Sequence, residues 1–368
     1  MGILSTSLGI GATFGGLYAL RRWRENQWES CKTNRRLDGQ VAIITGATSG
    51  LGKVLAEDLV NRGAAVVLAC RNTTAAKEVA AKIKQQCPEA LLDVVELDLS
   101  SLESVRKCAN ILLERYPQIN ILINNAGVSI PPKMGIKTVE GYEINFGVNH
   151  LGHFLLTNLL VDRLIASAPS RIVIVSSKLH EQGSMDWEGF EGTKEFEGGK
   201  RGPNAAYCSS KLANVYFGIK LAEKLESRGV SVYTVCPGWN YTKLRNSKYV
   251  SLLKFYGKSS LPSSSFKSQS RGVSVYTVCP GWNYTKLFRY SSVPFYSWIA
   301  IIPIAFWFMK PARIGVQTLI HCAVSEDTEN ETGLFYRDCK VYQSQANLNP
   351  KTINELWEVS CKLCKIEW

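Results

Sequence analysis

Tyr207 and Lys211 stand four residues apart in Tyr207-Cys208-Ser209-Ser210-Lys211, a helical stretch that puts both on one face. A phenol titrates near 10 and is a poor base at neutral pH, but an ammonium beside it favours the phenolate. The pair is common by chance, and its weight comes from what else the chain carries in order. Upstream, Thr45-Gly46-Ala47-Thr48-Ser49-Gly50-Leu51-Gly52 follows an apolar run and precedes a helical stretch, Lys53–Arg62. Glycines there let the backbone turn sharply and approach a pyrophosphate, and the helix N-terminus favours its negative charge. The next apolar run ends Ala69-Cys70-Arg71-Asn72. A carboxylate at that point would bind a ribose 2′-hydroxyl. Arg71 instead offers a guanidinium fork to a 2′-phosphate, which favours NADP over NAD, and Lys53 is a candidate helper.

These residues need a scaffold that brings strand ends together. Strands are expected at Val41–Thr45, Ala65–Cys70, Leu92–Leu97, Asn120–Asn124, Arg171–Ser176 and Val230–Val235, with Gly333–Val341 as the last of the sheet. Short, continuous apolar runs suit a parallel sheet covered on both faces. Ser100-Ser101-Leu102-Glu103 reads as a capping box opening a helix with Leu102, Val105, Ala109 and Leu112 on one side. The alternation of strand and helix predicts a doubly wound, Rossmann-type α/β sheet in a single domain, residues 37–368, behind an N-terminal anchor and basic flank, residues 1–24.

The order of Thr45–Gly52, Asn124-Asn125-Ala126-Gly127, Asn149-His150-Leu151-Gly152-His153-Phe154, Val175-Ser176-Ser177, Tyr207-xxx-Lys211, Pro237-Gly238 and Thr242 resembles the short-chain dehydrogenase/reductase superfamily. The closer resemblance is to the microsomal NADP-dependent retinol dehydrogenases, through to Trp357-Glu358, and it leaves out only Arg245–Gln269 and one copy of a repeat. It implies a catalytic set of Asn149, Ser177, Tyr207 and Lys211. Tyr207 would be the general acid/base, and Ser177 would hydrogen-bond the substrate oxygen. Lys211 would hold the nicotinamide ribose, and Asn149 would position a relay water. Cofactor contacts would come from Gly46, Thr48, Ser49, Gly50, Leu51, Gly52, Arg71, Asp98, Leu99, Asn125, Ala126, Gly127, Tyr207, Lys211, Pro237, Gly238 and Thr242, with Asp98 and Leu99 flanking the adenine. Strand alternation sends Ser176 and Ser177 to opposite faces, so only one can act. His150, His153 and His180 show no metal-ligand spacing and are expected to be structural.

The 368 residues carry a net charge of +12, with 45% hydrophobic and 20% charged residues, an ordinary globular composition. No basic run is interleaved with aromatics, so nucleic acid is not expected as a partner. The densest basic cluster, Arg21, Arg22 and Arg24, directly follows residues 2–20, which hold no charged side chain. Nineteen helical residues span roughly 28 Å, close to a bilayer's hydrocarbon thickness. Basic residues behind the apolar stretch argue against a cleaved signal and place the rest of the chain in the cytosol. The segment also holds a GxxxG, Gly11 and Gly15, and Met1-Gly2 with Thr6 fits a loose myristoylation pattern. An endoplasmic reticulum location and the possibility of an oligomer come with the resemblance. The 11 cysteines have no framework spacing, and the lone Cys361/Cys364 pair lacks partner ligands, as expected of reduced thiols.

A second uncharged run, Val293–Met309, is interrupted by Pro294 and Pro303. A membrane span there would strand the last strand of the sheet on the wrong side. The reading preferred is an apolar lid over the substrate cleft that dips into the membrane surface, with a buried core helix as the alternative. Residues 227–244 recur letter for letter at 270–287 around a Ser- and Lys-rich stretch. One sheet slot faces two copies, Val230–Val235 and Val273–Val278. Connectivity favours the first, leaving residues 245–287 as an insertion. The expected activity is reversible hydride transfer between NADP(H) and a lipophilic alcohol or carbonyl, with retinal first and a steroid or lipid aldehyde second. A catalytically silent cofactor-binding membrane protein is the rival.

Overall fold

The structure is a computed structural model that describes residues 16, 18–194, 196, 204–238, 240, 241, 309–329 and 331–368. Strand β1 (Val41–Thr45) is buried at all five positions, as its unbroken apolar run requires. It is followed by α1 (Gly50–Asn61), β2 (Ala65–Cys70), α2 (Thr73–Gln86), β3 (Leu92–Glu96), α3 (Leu102–Arg115) and β4 (Ile121–Asn124). A π-helical turn, Gly147–Leu151, leads into α4 (Gly152–Ala166), then β5 (Ser170–Val175), α5 (Ala205–Lys224) and β6 (Val230–Cys236). The chain closes with the pairing segments β7 (Asn240–Tyr241) and β8 (Lys310–Pro311), α6 (Gln317–Val324), β9 (Leu334–Arg337), β10 (Lys340–Val341) and α7 (Pro350–Cys364). The first six expected strands agree with these bounds to within a residue, whereas the expected last strand, Gly333–Val341, divides into the antiparallel pair β9 and β10 around Asp338-Cys339.

The sheet has eight strands in the order β10-β9-β6-β5-β4-β1-β2-β3, and β10 runs antiparallel to β9. One face is covered by α3, α4, α5 and α7, the other by α1, α2 and α6. Strand order reverses between β1 and β4, which opens a crevice at their carboxyl ends, the ligand position of such sheets. The expected capping box shifts by one residue. Ser101, not Ser100, caps α3 by accepting from Ser104 N at 3.3 Å. Ser100 turns its hydroxyl to Asp98 Oδ1 at 2.6 Å instead, and Glu103 pairs with Lys107.

The first copy of the repeat fills the sheet slot. β6 pairs with β5 on one side and β9 on the other. The second copy, residues 245–269, and the expected lid up to residue 308 lie outside the described residues. Where the chain departs and returns is described: β7 pairs in parallel with β8, so residues 242–309 leave and rejoin the domain side by side.

Most of the expected anchor, residues 1–15 and 17, also lies outside the described residues. Among the described residues, no helix is long and apolar enough to cross a membrane. Residues 18–26 are helical, with Tyr18, Leu20 and Trp23 exposed. Arg21, expected in a basic flank at the membrane surface, is only 3% exposed. It hydrogen-bonds Met309 O, pairs with Glu25 at 3.2 Å and lies 4.9 Å from the Trp28 ring. Glu25, itself buried, also holds Arg22 and Arg313 at 3.2 Å each. A carboxylate and a carbonyl together give this arginine partners that an anionic surface would otherwise supply.

Candidate active site

The turn after β1 is built for close backbone approach. Gly46 has φ +71°, and a Cβ there would meet Ala126 Cα at 2.9 Å. A Cβ on Gly52 would come within 2.7 Å of Gly46 O and 2.6 Å of Asn125 Nδ2. Thr45 holds the neighbouring loop, its hydroxyl oxygen accepting from Asn125 N and Ala126 N at 2.9 Å each. Asn125 Nδ2 returns a bond to Thr45 O at 2.8 Å. Ser49, the N-cap of α1, makes no side-chain cap bond, so the first amides of α1 are left for another acceptor. Thr48, Ser49, Gly50 and Leu51 are partly buried around this turn. A dinucleotide pyrophosphate fits this cradle, which side chains would fill.

Arg71 follows β2 with its side chain 64% exposed and Nη1 3.9 Å from Asp98 Oδ2. Asp98 accepts from Ser100 N at 3.0 Å, and Leu99 is buried where a Cβ on Gly152 would strike its carbonyl at 2.8 Å. Lys53 pairs with Glu57 at 3.3 Å, an ordinary contact along a helix face. Pro237 and Gly238 (φ +75°) end β6 at the same edge, and Thr242 lies outside the described residues.

Across the crevice, β5 and α5 bring Ser177, Tyr207 and Lys211 together. Ser176 donates to Lys211 O at 2.7 Å, which fixes strand to helix, so the partly buried Ser177 is the one that faces the Tyr207 phenol and hydrogen-bonds it. Lys211 Nζ lies 5.8 Å from the Tyr207 ring centre and donates to Val175 O at 2.9 Å. Burial lowers its pKa to about 8. The expected depression of the phenol does not appear. Burial pushes Tyr207 upward, outweighing the Ser177 hydrogen bond that pulls the other way. In this environment the phenol holds its proton and is suited to donating it.

Asn149 sits in the π turn, a distortion that re-aims a helical side chain. Its amide is committed at both ends: Oδ1 accepts from Val128 N at 2.7 Å, and Nδ2 donates to Val128 O and Ser210 Oγ at 2.9 Å each. A relay water would therefore be taken by its backbone carbonyl rather than its side chain. That carbonyl already meets His153 Nδ1 at 3.0 Å. Asn149 and Lys211 converge at Gly127, whose absent Cβ would lie 3.2 Å from Asn149 Oδ1 and 3.6 Å from Lys211 Nζ.

A sequence model described as short chain dehydrogenase matches residues 40–251, more than half of the chain. The chain belongs to the short-chain dehydrogenase family. It is 38% identical to human retinol dehydrogenase 12 over 339 residues, 92% of this chain and 90% of that one. It is 36% identical to mouse retinol dehydrogenase 11 over 341 residues, 92% and 91% of the two chains. Among solved structures, an uncharacterised protein from Mycobacterium paratuberculosis superposes with a TM-score of 0.59 at 25% identity, covering 93% of this chain and 97% of that one.

In this short-chain dehydrogenase His153 and His180 are each fixed by hydrogen bonds. His153 bridges Thr45 Oγ1 (2.9 Å) and Asn149 O, and burial lowers its pKa to about 4. The carbonyl can only accept, so Nδ1 carries the proton and Nε2 accepts the Thr45 hydroxyl. His180 bonds Ser177 O and Ser344 Oγ. Among the described residues no cluster suits a metal ion. The ten described cysteines are free thiols, and Cys364 is pushed up to about 12 by burial. Sequence reasoning missed Thr45 as the organiser between the glycine turn and Asn149. Its position heading the glycine motif was the available signal.

Proposed function

We propose that this short-chain dehydrogenase is a membrane-anchored, NADP-dependent reductase of retinal or a related apolar aldehyde. It would be held by residues 2–20 with its catalytic domain in the cytosol, at the endoplasmic reticulum. The observation that carries the reading is the convergence of Ser177, Tyr207 and Lys211 beside a glycine turn whose second strand ends in Arg71 rather than a carboxylate. The similarity to retinol dehydrogenases 11 and 12 supports the substrate class. The exposed Tyr18, Leu20 and Trp23 support a membrane-facing N-terminus.

When bound, the dinucleotide supplies the hydride. The chain supplies the rest. Ser177 and Tyr207 hydrogen-bond the substrate carbonyl oxygen, and Tyr207 gives it a proton as charge develops there. Lys211, held by Val175 O, directs its remaining N–H groups toward the nicotinamide ribose. Asn149 fixes the Val128 backbone on one side of the cleft. Arg71 receives the 2′-phosphate. A retained phenol proton favours reduction over oxidation.

The test is NADPH consumption by purified full-length protein with retinal, with a steroid ketone and a medium-chain lipid aldehyde beside it. Turnover with retinal supports the reading. Turnover only with a steroid or lipid substrate moves the substrate class, and none with any of them supports the silent cofactor-binding alternative.

A further inference from the structure

Tyr207 is held through its backbone at both its amide and its carbonyl. The amide donates to Oδ1 of Asn204, the N-cap of α5, at 3.0 Å. The carbonyl accepts the Ser210 hydroxyl at 2.8 Å. Neither partner stops there. Asn204 Nδ2 donates to Ser129 Oγ at 3.1 Å, and Ser210 Oγ accepts from Asn149 Nδ2 at 2.9 Å. Asn149 in turn grips the Val128 backbone at both its amide and its carbonyl. Val128 and Ser129 are neighbours in the chain, so the hydrogen bonds close a ring that starts and ends at Tyr207.

The amide orientations in this ring are forced. The Tyr207 N–H can only donate, so Asn204 presents its oxygen there and its nitrogen to Ser129. Val128 N donates and Val128 O accepts, which sets Asn149 in the same way. Asn204, Ser129, Asn149 and Ser210 are all buried. The loop that the ring reaches is a fixed support. It leaves β4 at the end where the crevice opens. Ile130, on the far side of Ser129, is held by Asn145, whose Oδ1 accepts from Ile130 N and whose Nδ2 donates to Ile130 O, at 2.8 Å each. Asparagine side chains thus grip three consecutive residues, Val128, Ser129 and Ile130. Buried polar groups linked in this way have few alternative arrangements.

We propose that Asn204 and Ser129 are positioning residues for Tyr207, tying the acid to the loop after β4 so that its hydroxyl stays aimed at the substrate oxygen beside Ser177. This rests on the role of acid assigned to Tyr207 above. A cap alone needs only the oxygen, which a serine supplies as well. Asparagine adds a second arm, and that arm reaches Ser129. Tyr207 lies in the first turn of α5, and helix ends are where fraying concentrates. A displacement of about 1 Å in a reacting group can cost about 10²-fold in rate. A tether at this end of the helix therefore bears on turnover more than on stability.

The experiment follows retinal reduction by full-length protein, together with NADPH affinity, melting temperature and hydrogen exchange of the peptide that carries the Tyr207 amide. Ser129→Ala removes the hydroxyl and leaves the cap. Asn204→Ser keeps the cap and is too short to reach Ser129. Each is expected to lower kcat and kcat/KM together by about tenfold, with KM and NADPH affinity within about twofold, because the lost contact aims the proton and binds nothing. The two substitutions combined should cost no more than either alone. Ser129→Thr, which keeps the hydroxyl, should recover most of the rate. A wild-type kcat in either single variant, losses that multiply in the double variant, or equal losses for Ala and Thr at Ser129 would each overturn the proposal. If one variant does not fold, the other carries the test. Hydrogen exchange needs no substrate. A wild type that reduces none of the three substrates refutes the functional reading. Faster exchange at the Tyr207 amide in Ser129→Ala but not in Ser129→Thr then still upholds the tether, and unchanged exchange overturns it.

Discussion

Tyr207 is a buried phenol, and burial pushes its pKa up rather than down. The spacing to Lys211 was legible in the sequence, but the direction of the phenol's shift was not, because burial depends on what α5 packs against. Tyr207→Phe removes the proton and little else. Turnover should fall by about 10²-fold or more while NADPH affinity stays within a few-fold. A variant that keeps a tenth of the wild-type rate would remove Tyr207 from the role of acid. Arg71 is similarly legible, because absence of a carboxylate can be read directly from residues 69–72. Its exposure leaves it able to meet a phosphate, whereas Lys53 is engaged with Glu57. Arg71→Glu should reverse the cofactor preference, read as the ratio of kcat/KM for NADPH and NADH, and an unmoved ratio would place the phosphate contacts elsewhere. The bridge that His153 makes between Thr45 and Asn149 could not be found this way, because it joins segments far apart in the chain and no local spacing encodes it.

At the scale of elements, buried parallel strands were easy to read because they are short apolar runs with polar punctuation. The cap of α3 was harder. Ser100 and Ser101 both suit a cap, and the choice was made by Asp98, which takes the Ser100 hydroxyl. The π turn at Gly147–Leu151 left no pattern in the sequence, because residues 143–157 are buried all round and show no polar face whose phase an extra residue would shift. The duplication is the sharpest case. β6 occupies a slot between β5 and β9, so the sheet has room for one copy. Deleting residues 245–287 joins Leu244 to Phe288 and leaves every described strand in place. The shortened protein should be obtained in higher soluble yield, melt at a higher temperature and keep its activity. A lower melting temperature or loss of turnover would make the duplicated segment a working part of the fold.

For the whole molecule, acid sensitivity follows from the four histidines, all of which burial holds below their ordinary pKa. Unfolding lets each take up a proton once the pH drops below about 6.5. Their contribution is therefore complete above that pH and is lost on the way down toward pH 4 for His153 and pH 3 for His150. The fully buried His150 and His153 each account for up to about 1.4 kcal/mol per pH unit in that range. Melting temperatures should fall steadily from pH 7 to pH 5, above the range in which ordinary carboxylates titrate. A flat profile would mean that the unfolded chain does not gain these protons. The N-terminus shows where sequence reading stopped. It marked Arg21 as a membrane flank, while the fold draws Arg21 inward to Glu25 and Met309. Removing residues 1–24 should release protein from membranes but also lower its melting temperature, whereas removing residues 1–16 should release it without that loss. Equal melting temperatures for the two truncations would show that the Arg21 contacts contribute no stability.

The short pairing of Asn240–Tyr241 with Lys310–Pro311 acts as a clasp at the neck of residues 242–309. With both ends of the neck fixed to each other, the scaffold is indifferent to how much chain hangs beyond it. A gain of 43 residues there strains neither the sheet nor the crevice, since loop closure grows only with the logarithm of length. The β5–β6–β9 pairings are made without the residues between Tyr241 and Lys310, so that segment can be exchanged for another without altering a described strand.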